Sequence, residues 1–434
     1  MIPRLIRSAA TCPPFGWARG AAAGGSDVGL KVRESEEGAI GMLKNVYVAG
    51  GVRTPFGAFN GALASMRAPE LGSLVIRHAL ERSGVDGKSV DHVYFGNVIQ
   101  AGQGQNVARQ AALGAGLNTG IGAVTINKVC GSSLRAVIMA SQTIQCGDAN
   151  VIVAGGCESM TNAPYLLTKA RSGYRMGHGE LIDSMIHDGI WDVYKNKHMG
   201  SCGDMCAAKY NFSRQEQDAY AVASYTRAAQ AWQSGFYKEA VIPVEIKSRK
   251  GVETVSMDED VAKFDAAKMS TLKPAFSPDG TITAGNASNI NDGAAAMVVY
   301  GEEAKTSMGL KPVARILGYA NYATEPDWFT VAPVHAIKRL CEKLSLKTSQ
   351  VDLFEINEAF AVVPMVAMRE LGLDHAKVNA YGGAVSIGHP IGASGARILN
   401  TLTRGLRWTK GRIGIACLCI GGGEADAVAV ELCG

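Results

Sequence analysis

Several features that mark common protein classes are missing from this 434-residue chain. Aromatic residues make up only 7% of it. No run of about eighteen apolar residues occurs, so no membrane span is predicted. The formal net charge of +4 is spread along the chain without a long Lys/Arg cluster, which makes nucleic-acid binding a poor hypothesis. The sequence therefore points away from membrane and nucleic-acid partners.

The ten cysteines also lack the spacing of a disulfide framework or a zinc site. They are scattered through apolar or glycine-rich segments of a long chain, which is typical of free thiols in a reducing compartment. Cys417 and Cys419 form one close pair, and Cys202 and Cys206 form another. Neither pair has a second pair or nearby His ligands at zinc-site spacing, so we expect no zinc-thiolate site.

The N-terminal segment of the chain contains few acidic residues. Three arginines lie there, at Arg4, Arg7 and Arg19. No acidic residue precedes Asp27, and the composition is that of a mitochondrial presequence. We predict that residues 1–40 direct import into the mitochondrial matrix. Two alternatives stay open: a disordered tail, or a translation start at Met42, which would leave the protein in the cytoplasm.

What the chain does hold is 52 glycines and 47% hydrophobic residues, which is typical of a tightly packed α/β enzyme. Apolar positions at helical spacing in residues 69–83 precede a short apolar strand at 91–97. Such alternation of helices and strands implies βαβ units and a largely parallel sheet. The length of the chain predicts two or three domains.

An internal repeat divides most of the chain into two similar halves. The first copy runs strand, turn, helix and strand, with the regular elements at 123–129, 132–145 and 151–154. The second copy has the same order, with elements at 377–381, 394–406 and 413–416. Ser132 and Ser394 are 262 positions apart, as are Arg135 and Arg397. We therefore predict two similar α/β halves that face each other.

Residues 161–285 fit neither half. Within them, Ser213-Arg-Gln-Glu216 is a capping-box signature that predicts a helix extending to Ser234. We predict an inserted loop domain over the site, because loops commonly determine specificity. The N-terminal half then comprises residues 43–160 with 286–310, and the C-terminal half comprises residues 311–434.

Cys130 is a candidate nucleophile. It follows a β-branched strand and precedes a helix, so its thiol is expected at a helix N-terminus, where amides and dipole favour a thiolate. The Gly-Ser-Ser turn that follows opens the backbone around the sulfur. A small core cysteine is the common alternative.

Two proton carriers accompany it in the last third of the chain. His389 lies in a Gly-His-Pro loop, where an imidazole can take the proton of a nucleophile, although a structural histidine stays an alternative. Cys419 precedes Ile-Gly-Gly-Gly, whose N–H groups can form an oxyanion site. Cys417 lacks this glycine context, and we expect it to be inert.

Asn357 follows an apolar strand at residues 351–356. A side-chain amide at a strand end can hold a water or an oxyanion without any change of charge. An ordinary cap or turn explains the residue equally well from the sequence.

Taken together, these motifs resemble the thiolase family. Four signatures occur in the family's order: Val-Cys130-Gly-Ser, Asn357-Glu-Ala-Phe, Gly-His389-Pro-Ile-Gly-Ala-Ser-Gly-Ala-Arg, and Cys419-Ile-Gly-Gly-Gly. The resemblance extends from about residue 43 to the end of the chain. It implies two like halves in a five-layered αβαβα arrangement, with an inserted loop region that binds coenzyme A.

The resemblance also implies a role for each reacting group. Cys130 would accept the acyl group, His389 would activate it, and Cys419 would exchange a proton with the acetyl methyl. One oxyanion hole would consist of His389 and a water held by Asn357. The other would consist of the backbone N–H groups of Cys130 and Gly421.

The inserted region is most similar to that of short-chain thiolases, in which a pair matching His198-Met199 bounds a small acyl pocket. Further implied contacts to coenzyme A are Tyr225, Lys263, Phe264, Asp265, Lys268 and Ser288. A potassium ion is implied at Tyr225 and at the backbone of Ala284, Gly285, Ala287 and Val385. No redox cofactor is implied, and the expected assembly is a homotetramer built as a dimer of dimers. The sequence departs from many relatives at Arg135, where they have lysine.

The leading functional hypothesis is reversible Claisen condensation of two acetyl-CoA into acetoacetyl-CoA and CoA through acetyl-Cys130. Three alternatives stay open: a longer-chain 3-ketoacyl-CoA thiolase of fatty-acid oxidation, a ketoacyl synthase, and a thiolase-like binding protein without catalysis. His198-Met199 disfavours the first. Asn357 and Cys419, in place of two histidines, disfavour the second, and retention of every reacting group disfavours the third.

Overall fold

The computed structural model describes residues 44–249 and 251–434, so the predicted presequence lies outside the described residues. The strands are β1 (Val46–Arg53), β2 (Gly57–Ala58), β3 (His92–Gly96), β4 (Gly122–Ile126), β5 (Val151–Ser159), β6 (Tyr165–Leu166), β7 (Ile182–Asp183), β8 (Trp191–Asp192), β9 (Lys197–His198), β10 (Val244–Ser248), β11 (Gly251–Val255), β12 (Asn291–Gly301), β13 (Ala314–Ala323), β14 (Leu353–Ile356), β15 (Ile413–Ile420) and β16 (Glu424–Leu432). The α-helices are α1 (Ala68–Ser83), α2 (Val107–Gly114), α3 (Ser132–Cys146), α4 (Met199–Lys209), α5 (Arg214–Gln233), α6 (Glu259–Lys263), α7 (Glu302–Ser307), α8 (Ala332–Lys343), α9 (Val362–Leu371), α10 (Ala384–Ile387) and α11 (Ser394–Thr409).

The central sheet is mixed, and the prediction of a largely parallel sheet is wrong. Its main path runs β14-β15-β16-β13-β1-β12-β5-β3-β4, with β2 paired to β12. Only the outer pairings, β14 with β15, β5 with β3 and β3 with β4, are parallel. The last strand of each half, β12 or β16, returns between the outer strands and the middle of the sheet, and it pairs antiparallel on both sides.

The predicted repeat is visible in this order. The path from β1 through β12 and β5 to β3 has the same pairing directions as the path from β13 through β16 and β15 to β14. β1 and β13 pair antiparallel where the two halves meet. Each half therefore repeats one topology, and the two are joined through their first strands.

The predicted strand at residues 377–381 does not form. Val378 makes one isolated parallel bridge to Phe354, at the place where β4 pairs with β3 in the first half. Asn379 has a positive φ of 49°, which turns the chain away from extended geometry. Its side-chain amide pairs instead with the N–H and C=O of Ile356, both at 2.8 Å, and so takes the place of strand pairing.

The helices and sheet halves are stacked in five layers. Helices α3 and α11 occupy the middle and pack against strands of both halves, while α1 with α2 and α8 with α9 cover the outer faces. Three large apolar clusters fill the spaces between these layers. None of the helices in the described part of the chain has the length and apolar character needed to cross a membrane.

Helix α5 confirms the predicted capping box. The Ser213 hydroxyl accepts a hydrogen bond from the Glu216 N–H, and the Glu216 carboxylate accepts one from the Ser213 N–H. The cap fixes the start of a 20-residue helix that carries Tyr220, Ser224 and Tyr225 toward the second half.

We expect Ser213→Ala to lower the free energy of unfolding by about 1 kcal/mol, because an orphan helix N–H loses its acceptor. Urea unfolding followed by circular dichroism measures this change. Gln215→Ala, at an exposed position of the same first turn outside the capping box, is the matched control. Equal effects of the two substitutions would show that the cap contributes nothing special.

Candidate active site

Cys130 lies in a tight turn between β4 and α3. The preceding Val129 has a φ of 45°, which is unfavourable for a β-branched residue. The Ser132 hydroxyl holds this turn: it donates to the Val129 carbonyl at 2.6 Å and accepts from the Lys128 N–H at 2.9 Å. Helix α3 begins at Ser132, so the thiol lies at a helix N-terminus as predicted.

The expectation that this helix end favours a thiolate is wrong for the free protein. Burial raises the pKa of the Cys130 thiol to about 11, while the backbone N–H groups of Gly421 and Cys130 itself act to lower it. Desolvation of the charged form outweighs the helix terminus because the sulfur is almost fully enclosed. Cys130 therefore needs a proton acceptor to become a nucleophile near neutral pH.

His389 is held in a fixed orientation on the loop between α10 and α11. Its backbone N–H donates to the side chain of Asn291 at 2.9 Å, and its Nδ1 lies 2.6 Å from the Ser394 hydroxyl. Nε2 is buried without a hydrogen-bond partner among the described residues. Burial and the charge of Arg397 lower the pKa of His389 to about 3, so the imidazole is neutral at physiological pH.

Cys419 lies at the end of β15 and is fully buried. Burial, and then the neighbouring Cys130, raise the pKa of the Cys419 thiol well above its usual value. The two sulfurs are therefore close enough to interact electrostatically. The backbone N–H of Ala359 acts in the opposite direction. Cys417 lies on the same face of β15, two residues earlier, and its Sγ lies 3.9 Å from the carbonyl oxygen of Pro333.

Asn357 follows β14 directly. Its N–H donates to the Cys417 carbonyl at 2.9 Å, and its side-chain oxygen accepts from Arg397 at 3.0 Å. Its side-chain nitrogen is buried without a hydrogen-bond partner in the described part of the chain. The amide therefore has donor hydrogens available, as an oxyanion or water site requires.

A cavity of about 240 Å³ joins several of the predicted residues. Its wall includes Cys130, His389, His198, Met199 and Ser288. The remaining wall is mostly apolar and is formed by Met160, Gly189, Ile190, Phe276, Ala287, Asn289, Ile290, Phe329, Ala359, Phe360 and Ile391. Asn357, Cys419 and Gly421 are not part of this wall, although Cys419 and Gly421 neighbour the Cys130 sulfur.

The other predicted coenzyme A residues lie around α5 and α6. Tyr225 and Phe264 stack with ring centroids 3.9 Å apart. Lys263 pairs with Glu259 at 2.6 Å, and Lys268 lies 3.5 Å from Asp265. Both lysine side chains are largely exposed, but their charges are partly offset by these carboxylates.

Three of the five predicted potassium residues, Tyr225, Gly285 and Val385, lie close to Met269. Tyr225, Val385 and Met269 form one apolar cluster, and a Cβ on Gly285 would lie 2.6 Å from the Met269 sulfur. Within residues 44–249 and 251–434, no backbone N–H donates to the carbonyl oxygens of Ala284, Gly285 or Ala287. Those oxygens are free for a cation that prefers carbonyl ligands. The same described ranges contain no group of three or more His, Cys, Asp or Glu side chains arranged for a metal ion.

Sequence reasoning missed four residues that support the site. Ser394 and Arg397 lie in the His389 motif, but the sequence does not show that they contact His389 and Asn357. The buried carboxylate of Glu158 accepts from the N–H groups of Val98, Ile99 and Gly392. That of Glu358 accepts from Tyr220, Ser224, Asn379 and the Val385 N–H, and so ties α5 to the turn before His389. For Glu158 and Glu358, the signal in the sequence was an acidic residue in or next to a recognised motif.

Two sequence profiles cover almost all of the described chain. The thiolase N-terminal domain profile matches residues 46–303, and the thiolase C-terminal domain profile matches residues 310–432. This chain belongs to the thiolase family. The five-layered fold and the two repeated halves are therefore confirmed as a thiolase fold.

Individual relatives match this chain over nearly their whole length. The chain is 48% identical over 391 residues to acetyl-CoA acetyltransferase 1 of Arabidopsis thaliana, covering 89% of this chain and 94% of that protein. It is 45% identical over 391 residues to acetyl-CoA acetyltransferase A, mitochondrial, of Xenopus laevis, covering 90% and 92%. The crystal structure of Acat5 thiolase from Ascaris suum in complex with coenzyme A has a TM-score of 0.86 at 41% identity, covering 90% and 100%. The chain is thus an acyltransferase of the thiolase family.

We expect Ser394→Ala to lower the kcat of this thiolase about tenfold or more, because a buried imidazole nitrogen loses its partner and its orientation. Steady-state acyl-CoA turnover measures the loss. Ser141→Ala is the control, since the buried Ser141 hydroxyl has no hydrogen-bond partner among the described residues. Unchanged kcat in Ser394→Ala would show that His389 does not need this contact.

Proposed function

We propose that the chain is an acetyl-CoA C-acetyltransferase that condenses two acetyl-CoA reversibly into acetoacetyl-CoA and CoA. The observation that carries the proposal is the small cavity in which Cys130 and His389 meet His198 and Met199. A cavity of about 240 Å³ suits a short acyl chain beside the end of a pantetheine arm. The names of the relatives support the same activity.

In the first half-reaction, the Cys130 sulfur attacks the carbonyl carbon of acetyl-CoA. The Ser394 hydroxyl lies 3.0 Å from the Pro390 carbonyl, and donation there leaves Nδ1 of His389 as the donor to Ser394. Nε2 then carries the free lone pair and can take the thiol proton. The proton passes to the departing CoA sulfur, which gives acetyl-Cys130 and free CoA. The N–H groups of Cys130 and Gly421 stabilise the oxyanion of this step.

In the second half-reaction, neutral His389 takes the proton of the Cys419 thiol, and the resulting thiolate removes a proton from the methyl group of a second acetyl-CoA. His389, together with a water held by Asn357, stabilises the enolate oxygen. The enolate carbon attacks acetyl-Cys130, the Cys130–carbon bond breaks, and the departing Cys130 thiolate receives the proton held by His389, while Cys419 keeps the proton taken from carbon. The raised pKa of the Cys419 thiol makes its thiolate a strong base, which suits removal of a proton from carbon.

The inserted residues 161–285 form the acyl-CoA side of the proposed site. His198 stacks on Phe276 with centroids 4.4 Å apart, and both line the cavity with Met199. Tyr225, Phe264, Asp265, Ser288 and the lysines at 263 and 268 would contact coenzyme A. Lysine charge favours binding of the phosphates of the coenzyme.

A potassium ion would be held by the Tyr225 hydroxyl and by the carbonyls of Ala284, Gly285, Ala287 and Val385. The carbonyl oxygens of Ala284, Gly285 and Ala287 accept no backbone hydrogen bond among the described residues, which fits this role. When bound, the ion would supply a fixed positive charge beside Ser288, which follows Ala287 on the cavity wall.

The proposed setting is the mitochondrial matrix, and the proposed assembly is a homotetramer. The basic, acid-poor start of the sequence and the mitochondrial name of the Xenopus laevis relative support the location. The assembly rests on the family resemblance.

The substrate assignment predicts thiolysis of acetoacetyl-CoA by CoA, with a higher kcat/KM than for a longer straight-chain 3-ketoacyl-CoA. The aromatic wall formed by Phe276, Phe329 and Phe360 is the physical reason. Thiolysis rates of both substrates, measured in potassium and in sodium buffers, provide the test. Preference for the long substrate would replace the proposal with the fatty-acid-oxidation alternative, and cleavage of neither would remove both. Equal rates in the two buffers would remove the potassium proposal.

The roles of the two neighbouring thiols predict opposite results for two alanine variants. Cys419→Ala should lower condensation by about 10²–10⁴-fold while acetyl exchange between acetyl-CoA and labelled CoA continues, because only condensation needs the second base. Cys417→Ala, on the same strand, should lower neither rate. If Cys417→Ala instead abolished condensation, the assignment of the base would be wrong.

A further inference from the structure

The guanidinium of Arg397 occupies an unusual place behind the site. It is fully buried on α11, although an isolated buried charge is costly. Its Nη1 lies 3.5 Å from the carboxylate of Glu355, and its Nη2 donates to the side-chain oxygen of Asn357 at 3.0 Å. Glu355 and Asn357 lie on either side of the end of β14, so one side chain contacts both.

These contacts fix which way the Asn357 amide points. A guanidinium carries only donors, so the amide must turn its oxygen toward Arg397. The side-chain nitrogen of Asn357 then faces away from Arg397, and this nitrogen is the one that lacks a partner among the described residues. A flipped amide would place two N–H donors against the donors of Arg397 and would lose the oxyanion site.

Arg397 donates one hydrogen bond, to Asn357, while its Nε and Nη1 are buried without a hydrogen-bond partner among the described residues. The carboxyl of Glu355 lies 3.5 Å from Nη1, and burial raises the pKa of this carboxyl to about 8, with Arg397 acting to lower it. The equivalent residue of the first half, Arg135, pairs instead with Asp426 on β16 and does not contact an amide. The equivalent arginines of the two halves therefore have different partners.

We propose that Arg397, which lies between Glu355 and Asn357, is a positioning residue that selects the donor-presenting orientation of Asn357. This inference rests on the proposed function, in which Asn357 serves the enolate step and not acetyl transfer to Cys130. Arg397 does not touch the substrate. Its loss should therefore affect one half-reaction selectively.

The test compares two rates in Arg397→Lys, which keeps the charge but cannot contact Glu355 and Asn357 through a planar fork. Condensation, and exchange of the acetyl-CoA methyl hydrogens with deuterated water, should fall by about 10²-fold, as for loss of an oxyanion donor. Exchange of labelled CoA into acetyl-CoA should stay at the wild-type rate. Adding Asn357→Ala to Arg397→Lys should produce no further loss, because both changes remove the same donor.

Arg135→Lys is the matched control, since a lysine at 135 can keep the ion pair with Asp426, and both rates should be unchanged. If Arg397→Lys does not fold, as judged by circular dichroism, Glu355→Gln takes its place in the same measurements with the same selective loss expected. Equal loss of both rates, or additive losses in the double variant, would overturn the inference. A wild-type protein that shows neither thiolysis nor CoA exchange would overturn the proposed function, and the inference with it.

Discussion

The site depends on close contact between the two halves at the N-termini of α3 and α11. The N–H of Ala396 donates to the Ser133 hydroxyl at 3.0 Å, and a Cβ on Gly395 would lie 2.3 Å from the Leu134 nitrogen. Only glycine at 395 allows this approach. Because Cys130 precedes α3 and His389 precedes α11, the contact between the helices brings the Cys130 thiol and the His389 imidazole to one cavity.

Burial determines the electrostatics of the site once the halves are joined. It raises the pKa values of the Cys130 and Cys419 thiols and lowers that of His389, so each group is held in its neutral form in the free protein. Neutral groups cost less to bury, and they are ready to exchange protons with one another. The backbone N–H groups of Gly421 and Ala359 offset part of the desolvation: the first acts to lower the pKa of the Cys130 thiol, and the second acts to lower that of the Cys419 thiol.

The motifs made much of the site predictable, because glycine turns and helix starts are local features. Patterns within short stretches predicted Cys130 at the start of α3 and the capping box at Ser213. They also predicted the repeat, whose two copies are offset by 262 positions. The failed strand at 377–381 shows the limit of such reasoning. Asn379 pairs with Ile356 through its side chain, and nothing near it in the sequence identifies that distant partner.

The sequence by itself determined the candidate reacting groups, the repeat and the family, since these depend on residue identity and spacing. Only the tertiary structure decided that the sheet is mixed, because pairing direction depends on which strands become neighbours. It also decided that Ser394 contacts His389 and that Arg397 contacts Asn357. Those contacts depend on distances between side chains, and burial then determined how the same groups hold their protons.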